Sequence, residues 1–208
     1  MVSDTVRGLA LVLCFASVAG CSNFTGKTAD SESEAAVPLM VIEKSAYERD
    51  KNKLCMHTRE CTAPLSCLNG QCTIPPSILG KPLSNTPKIS LNTSKGSASL
   101  WIEIVDDEYT MQRGLMMRRA CQPGWGMLFI YPDEAKRAFW MHNTNIALDM
   151  VFIRADGSVS NVVKNAEPLN DVPRYLSTDR VKYVLEVAAG EAERLGIESG
   201  SQFDVKGF

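Results

Sequence analysis

From Lys88 to Phe208 the chain is written as short apolar runs separated by turn residues, which is the pattern of β-strands and leaves little room for long helices. The runs are "KISLN", "SLWIEIVD", "GMLFIYP", "AFWMH", "DMVFIRA", "SVSNVVKNA", "KYVLEVAA" and "QFDVKGF". In the second, Leu100, Ile102 and Ile104 alternate onto one face. Asp156-Gly157 lies between two of the runs and predicts a two-residue hairpin turn, with the flanking strands as antiparallel neighbours. Short helices are predicted from Asp107 to about Met116, capped by Asp106 or Asp107, and from Gly190 to Leu195, where Gly196 can take the left-handed position. No βαβ alternation appears. The expected fold of residues 88–208 is therefore an antiparallel β-sandwich or barrel with two short helices.

What precedes this domain says where it works. A polar start with Arg7 leads into an apolar run from Gly8 to Val18 that ends in small residues, the form of an export signal over residues 1–20. The run is shorter than the roughly 20 residues that span a bilayer. Val18-Ala19-Gly20-Cys21 resembles the lipobox of bacterial lipoproteins, which implies lipid on Cys21 and, with Ser22 following, an outer membrane address facing the periplasm. Residues 21–50 are polar and Ser/Glu/Ala-rich and read as a flexible tether. A disulfide-rich segment over 51–74 and a Pro-rich linker over 75–87 complete the expected order, with a domain boundary near Pro87.

Export changes the meaning of the cysteines, because thiols outside the cytoplasm meet an oxidising environment. Cys55, Cys61, Cys67 and Cys72 form C-x5-C-x5-C-x4-C, without the C-x2-C knuckles that zinc modules favour, so two disulfides are expected and no metal. The spacing leaves three pairings open; the interlaced one, Cys55 with Cys67 and Cys61 with Cys72, is common in small Cys-rich modules. A segment this short has too little core to order itself without cross-links. Cys121 is the odd thiol; Arg118 and Arg119 beside it would favour thiolate, as a nucleophile paired with His142 would need, but a capped, buried or intermolecularly bonded thiol is expected ahead of that.

The blocks "QRGLMMRR", "GWGMLFIYP", "FWMHNTNIALDMVFI", "RADGSV" and "KYVLEVAAGEAERLGIESG" together resemble, in order and spacing, the domain of unknown function 192 family over roughly Ile89 to Phe208. The resemblance implies a compact β-rich sandwich or barrel and no established activity. His142 stands where that family usually has Lys, and Ala147 where it has Pro.

Formal net charge is -2, with 22 basic and 24 acidic residues intermixed, so there is no basic field for a nucleic acid partner. Asn143, Thr144 and Asn145 suit a specific turn, and Asp149 at a strand start can accept backbone N–H groups. The functional alternative gathers Trp140, His142, Asn143, Thr144 and Asp149 at one rim, joined by Arg113, Arg118 and Glu186, with Arg113 as the natural partner of a Glu set in an apolar strand. His142 could serve as a base oriented by Asp149, with Glu186 a third catalytic candidate, yet no nucleophile motif or cofactor fingerprint accompanies them. Met111, Met116, Met117, Met127, Met141 and Met150 read as core filling ahead of a Cu(I) site. The expected role is a membrane-anchored binding or interaction module for an unknown protein or small molecule; an enzyme built on His142 to Asp149 with Arg113 and Glu186 is the alternative.

Overall fold

The computed structural model describes residue 50 and residues 52–61, 63–172 and 174–208. The signal, Cys21 and nearly all of the tether lie outside the described residues. A small hairpin, β1 (Ser66–Leu68) with β2 (Gln71–Thr73), belongs to the cysteine segment together with a 3-10 turn, Thr58–Glu60. The remaining strands are β3 (Lys88–Thr93), β4 (Gly96–Val105), β5 (Trp125–Ala135), β6 (Ala138–Phe139), β7 (Leu148–Ile153), β8 (Val159–Ala166), β9 (Tyr175–Leu176), β10 (Val181–Ala188) and β11 (Gln202–Phe203). Among the described residues the helices are α1 (Pro76–Leu79), α2 (Glu108–Arg113) and α3 (Glu191–Leu195).

One seven-stranded sheet runs β11-β3-β4-β5-β10-β7-β8. It curls until its ends meet: Ser158 bridges Gln202, Val159 N–H donates to Ser201 O at 2.8 Å, and Phe203 N–H donates to Gly157 O at 2.8 Å. Gly157 has φ +87, and a Cβ there would lie 2.2 Å from Phe203 O, so the turn needs glycine both for its conformation and for the closure. The β7–β8 connection differs from the two-residue turn expected. Arg154 O accepts from Gly157 N–H and Arg154 N–H donates to Ser158 O, a three-residue loop in which only Gly157 takes positive φ. Within this mainly antiparallel sheet β4 and β5 run parallel, because residues 106–124 cross over the sheet instead of turning back.

The strands bury apolar residues on both faces. Ile89, Leu100, Leu128, Val151, Leu185 and Phe203 come from strands around the whole sheet and fill its inside. Met127, Phe129, Met150, Phe152 and Val184 form a second layer on the outer face, covered by Leu115, Phe139 and Met141 from the crossing segments. Every residue of β7 is buried, which is why it reads as a nearly continuous apolar run. Met127, Met141 and Met150 are packed in this second layer, as core filling requires, whereas Met117 is exposed.

Disulfides join Cys55 to Cys67 and Cys61 to Cys72. The Sγ atoms of Cys55, Cys61 and Cys72 lie within 4.8 Å of one another because the two bridges are adjacent. Within the segment expected to be an extended spacer, Pro76–Leu79 forms a helical turn instead, with proline in its first turn and Gly80 left-handed at its end. Ser77 of that turn is buried against the barrel, so the cysteine segment, the linker and the barrel belong to one compact unit.

Candidate functional site

Side chains paired directly across strands share a face of the sheet. Glu103 on β4 is opposite Met127 on β5, Met127 is opposite Glu186 on β10, and Glu186 is opposite Met150 on β7. The outer face therefore carries two carboxyl groups, with a methionine between them, in one row. Arg118 lies at one end of the row, only 4% exposed, and grips Glu103 with both terminal nitrogens at 2.8 and 2.7 Å while donating to Ser77 Oγ at 2.7 Å. Ser77 Oγ in turn donates to Glu103 Oε1. Burial opposes the charge on Glu103, but the Arg118 guanidinium and the Ser77 hydroxyl outweigh it and hold the carboxyl below its ordinary value.

Glu186 has no such partner. It is 5% exposed, and its Oε2 is buried without a hydrogen-bond donor or acceptor. Burial pushes its carboxyl up to about 8, with Arg118 only partly offsetting the effect, so it is mostly protonated at neutral pH. Gly114 packs over it. A Cβ on Gly114 would lie 3.6 Å from Glu186 Oε2 and 3.3 Å from Phe129 Cζ, and its backbone, φ 45 and ψ -132, belongs to glycine.

Above this row opens a cleft of about 330 Å³. The cysteine segment supplies one wall through Thr58, Ser66 and Leu68, the linker another through Leu83 and Thr86, and β4 with α2 the floor through Glu103, Val105, Arg113 and Gly114. Arg113 ties the wall to the floor, its Nη2 donating to Leu65 O at 2.9 Å and its Nη1 to Thr58 O at 3.4 Å. Arg113 thus donates to backbone carbonyls of the cysteine segment and does not pair with Glu186, contrary to expectation; the cationic neighbour of Glu186 is Arg118.

The residues of the "FWMHNTNIALD" stretch build something else. Asp149 is fully buried, and its carboxylate accepts from Asn165 N–H at 2.9 Å, Gly190 N–H at 2.9 Å and Ala192 N–H at 3.0 Å. It caps α3 from a neighbouring strand, which explains why an Asp before "MVFI" and a Gly after "VAA" belong together. Asn143 takes φ 52, its carbonyl accepts from Met117 N–H at 2.8 Å, and Thr144 is buried with Oγ1 donating to His142 O. His142 is partly exposed, stacked on Trp140 at 4.9 Å between ring centroids and 3.0 Å from Asp171 Oδ2; Arg174 sits over Trp140. Asp149 pairs in register with Val187, not Glu186, so Asp149 and Glu186 point to opposite faces of the sheet. His142, Asp149 and Glu186 therefore do not converge.

The Cys121 thiol is buried and donates to Trp125 O at 3.7 Å, and burial pushes it up to about 12 despite Arg118, so it stays protonated. Sequence reasoning passed over Glu103 and Ser77. A carboxylate between Ile102 and Ile104 is the same signal that singled out Glu186, and Ser77 has no signal of its own.

A family model described as DUF192, Uncharacterized ACR, matches residues 90–205. No curated protein matches the chain. Among solved structures it is similar to a proposed transcription regulator from Sinorhizobium meliloti 1021, with 34% identity and a TM-score of 0.54, over 59% of this chain and 97% of that one. It is also similar to a protein of unknown function from Novosphingobium aromaticivorans DSM 12444, with 31% identity and a TM-score of 0.53, over 59% of this chain and 89% of that one. The family match begins after the cysteine segment and linker, so the cleft joins family residues to an added wall.

Proposed function

Since the chain belongs to the DUF192 family through its barrel, we propose that it is a binding module of the bacterial cell envelope, exported, anchored by lipid on Cys21 and facing the periplasm, with a small ligand in the cleft under the disulfide-braced wall. The observation that carries the ligand site is the cleft itself: a concavity at the small end of ligand-site volumes, roughly 300–1,000 Å³, with apolar and polar side chains together in its walls. Two disulfides close by are consistent with an oxidising compartment. The description of the Sinorhizobium relative as a transcription regulator finds no support in the composition of this chain, whose net charge is -2.

The enzyme alternative is weaker, because the sheet separates Asp149 from Glu186 and every Asp149 contact given above is to a backbone N–H group. The test has two arms. Expressed with its own leader in a diderm bacterium, the protein should incorporate labelled palmitate and sediment with membranes, and Cys21→Ser should abolish both; unlabelled protein in the soluble periplasm rejects the anchor. A melting-shift screen of small acids, amines and neutral amphiphiles should give stabilisers whose effect disappears in Cys55→Ser/Cys67→Ser, since a ligand bound only to the native state raises stability by mass action. Stabilisers unaffected by that double substitution place the ligand elsewhere.

A further inference from the structure

The charge and hydrogen-bond inventory of the cleft restricts what can enter it. Its ionisable lining residues are Glu103, Arg113 and Arg118. Glu103 and Arg118 neutralise each other in a two-point ion pair. Among the described residues no carboxylate lies within ion-pair distance of Arg113, which donates to the backbone carbonyls of Thr58 and Leu65. The lining is therefore left with one uncompensated positive charge, in a guanidinium that burial already makes less easily charged and that gains from an anionic partner.

The hydroxyls have the same bias. Thr58 Oγ1 accepts from Cys67 N–H at 3.2 Å and Thr86 Oγ1 accepts from Leu83 N–H at 2.8 Å, which directs both hydroxyl protons away from those amides and leaves them available to an acceptor. These hydroxyls add two donors to that of the guanidinium. Beside these donors stands Leu83, a large apolar side chain that remains exposed at 42%. A singly positive recess with hydroxyl donors and an apolar lip suits an anionic head on a short hydrocarbon body.

We propose that the cleft takes a small aliphatic carboxylate, its head group on Arg113 with the Thr58 and Thr86 hydroxyls, and its chain against Leu83. This rests on the cleft being the ligand site. It also gives the added wall a purpose: Arg113 lies within the family match, but the Thr58 and Leu65 carbonyls that hold it and the Thr58 hydroxyl lie outside it, so the cysteine segment presets a family arginine for an anion.

The experiment is amide NMR of the full-length protein in detergent, titrated separately with hexanoate, hexylammonium and 1-hexanol. Hexanoate should shift the Gly114, Val105 and Thr86 amides saturably, and the other two probes should not. Arg113→Gln should weaken hexanoate at least tenfold. Because that change also loosens the wall, Leu83→Glu supplies a second variant, which leaves the Arg113 contacts in place; it too should weaken hexanoate and admit hexylammonium. If hexylammonium or 1-hexanol moves those amides and hexanoate does not, the carboxylate assignment is wrong while the cleft stands as a ligand site. If no probe moves them, both ideas fall. Hexanoate binding that neither variant alters overturns the assignment to Arg113 and the lip.

Discussion

At the scale of single residues, Glu186 is the most consequential group in the barrel. Its neighbours are Met127, Met150 and Phe129, with Gly114 above; the titratable groups around it are Arg118, which lowers its pKa, and Cys121 and Tyr131, which its own charge pushes up. Folding raises its carboxyl from the ordinary 4.5 to about 8, so between those values the native state holds a proton that the unfolded chain has released. Stability from this group is then complete below pH 4.5 and is lost as pH rises through 8. The expected outcome is a stability decline approaching about 1.4 kcal/mol per pH unit across that window, and a flatter profile for Glu186→Gln. Urea melts between pH 5 and 8 measure it; parallel profiles for the two proteins would show that Glu186 is not held neutral. The same logic applied to the sequence flagged Glu186 but not its partner. A charge in an apolar strand announces a compensating group without saying which, and Arg118 took Glu103 while Arg113 went to carbonyls.

At the scale of elements, the short helix α3 is held by a neighbouring strand. Five residues cannot sustain a helix by their own hydrogen bonds, and the Asp149 carboxylate supplies what the N-terminus lacks by accepting from Gly190 and Ala192. Asp149→Asn keeps the shape but offers one acceptor oxygen for three N–H groups and no charge. It should cost about 2–3 kcal/mol by denaturant melting, the scale of lost hydrogen bonds to a charged, buried acceptor. An unchanged midpoint would sink the capping role. The long strands and the helices α2 and α3 were legible from periodicity and caps, and so was the role of Gly157 as a left-handed turn residue, whereas α1 and β9 were not. Loop length was not, because it depends on how β8 must reach β11 to close the sheet.

For the whole molecule, the division of labour is between a barrel that holds itself together and a wall that does not. The wall buries Cys55, Cys61, Leu65 and Cys72 and little else, so its order depends on two bridges, each worth about 3 kcal/mol for loops of this size. Reduction should therefore erase exchange protection at the Cys55 and Cys72 amides, which donate to Gly70 and Lys53, while β7 and β10 keep theirs. Hydrogen-exchange mass spectrometry with and without reductant decides this, and simultaneous loss in β7 would mean that wall and barrel unfold as one. The β-rich class, the strands, the cysteine chemistry and the family were contained in the order of residues, because periodicity, turn propensity and thiol spacing are local properties. The parallel β4–β5 pair, the row of Glu103 and Glu186 on one face with Asp149 on the other, and the cleft roofed by a distant segment were decided only in three dimensions. Each depends on which remote groups meet first and best, and a buried charge takes whichever partner the packing brings within reach.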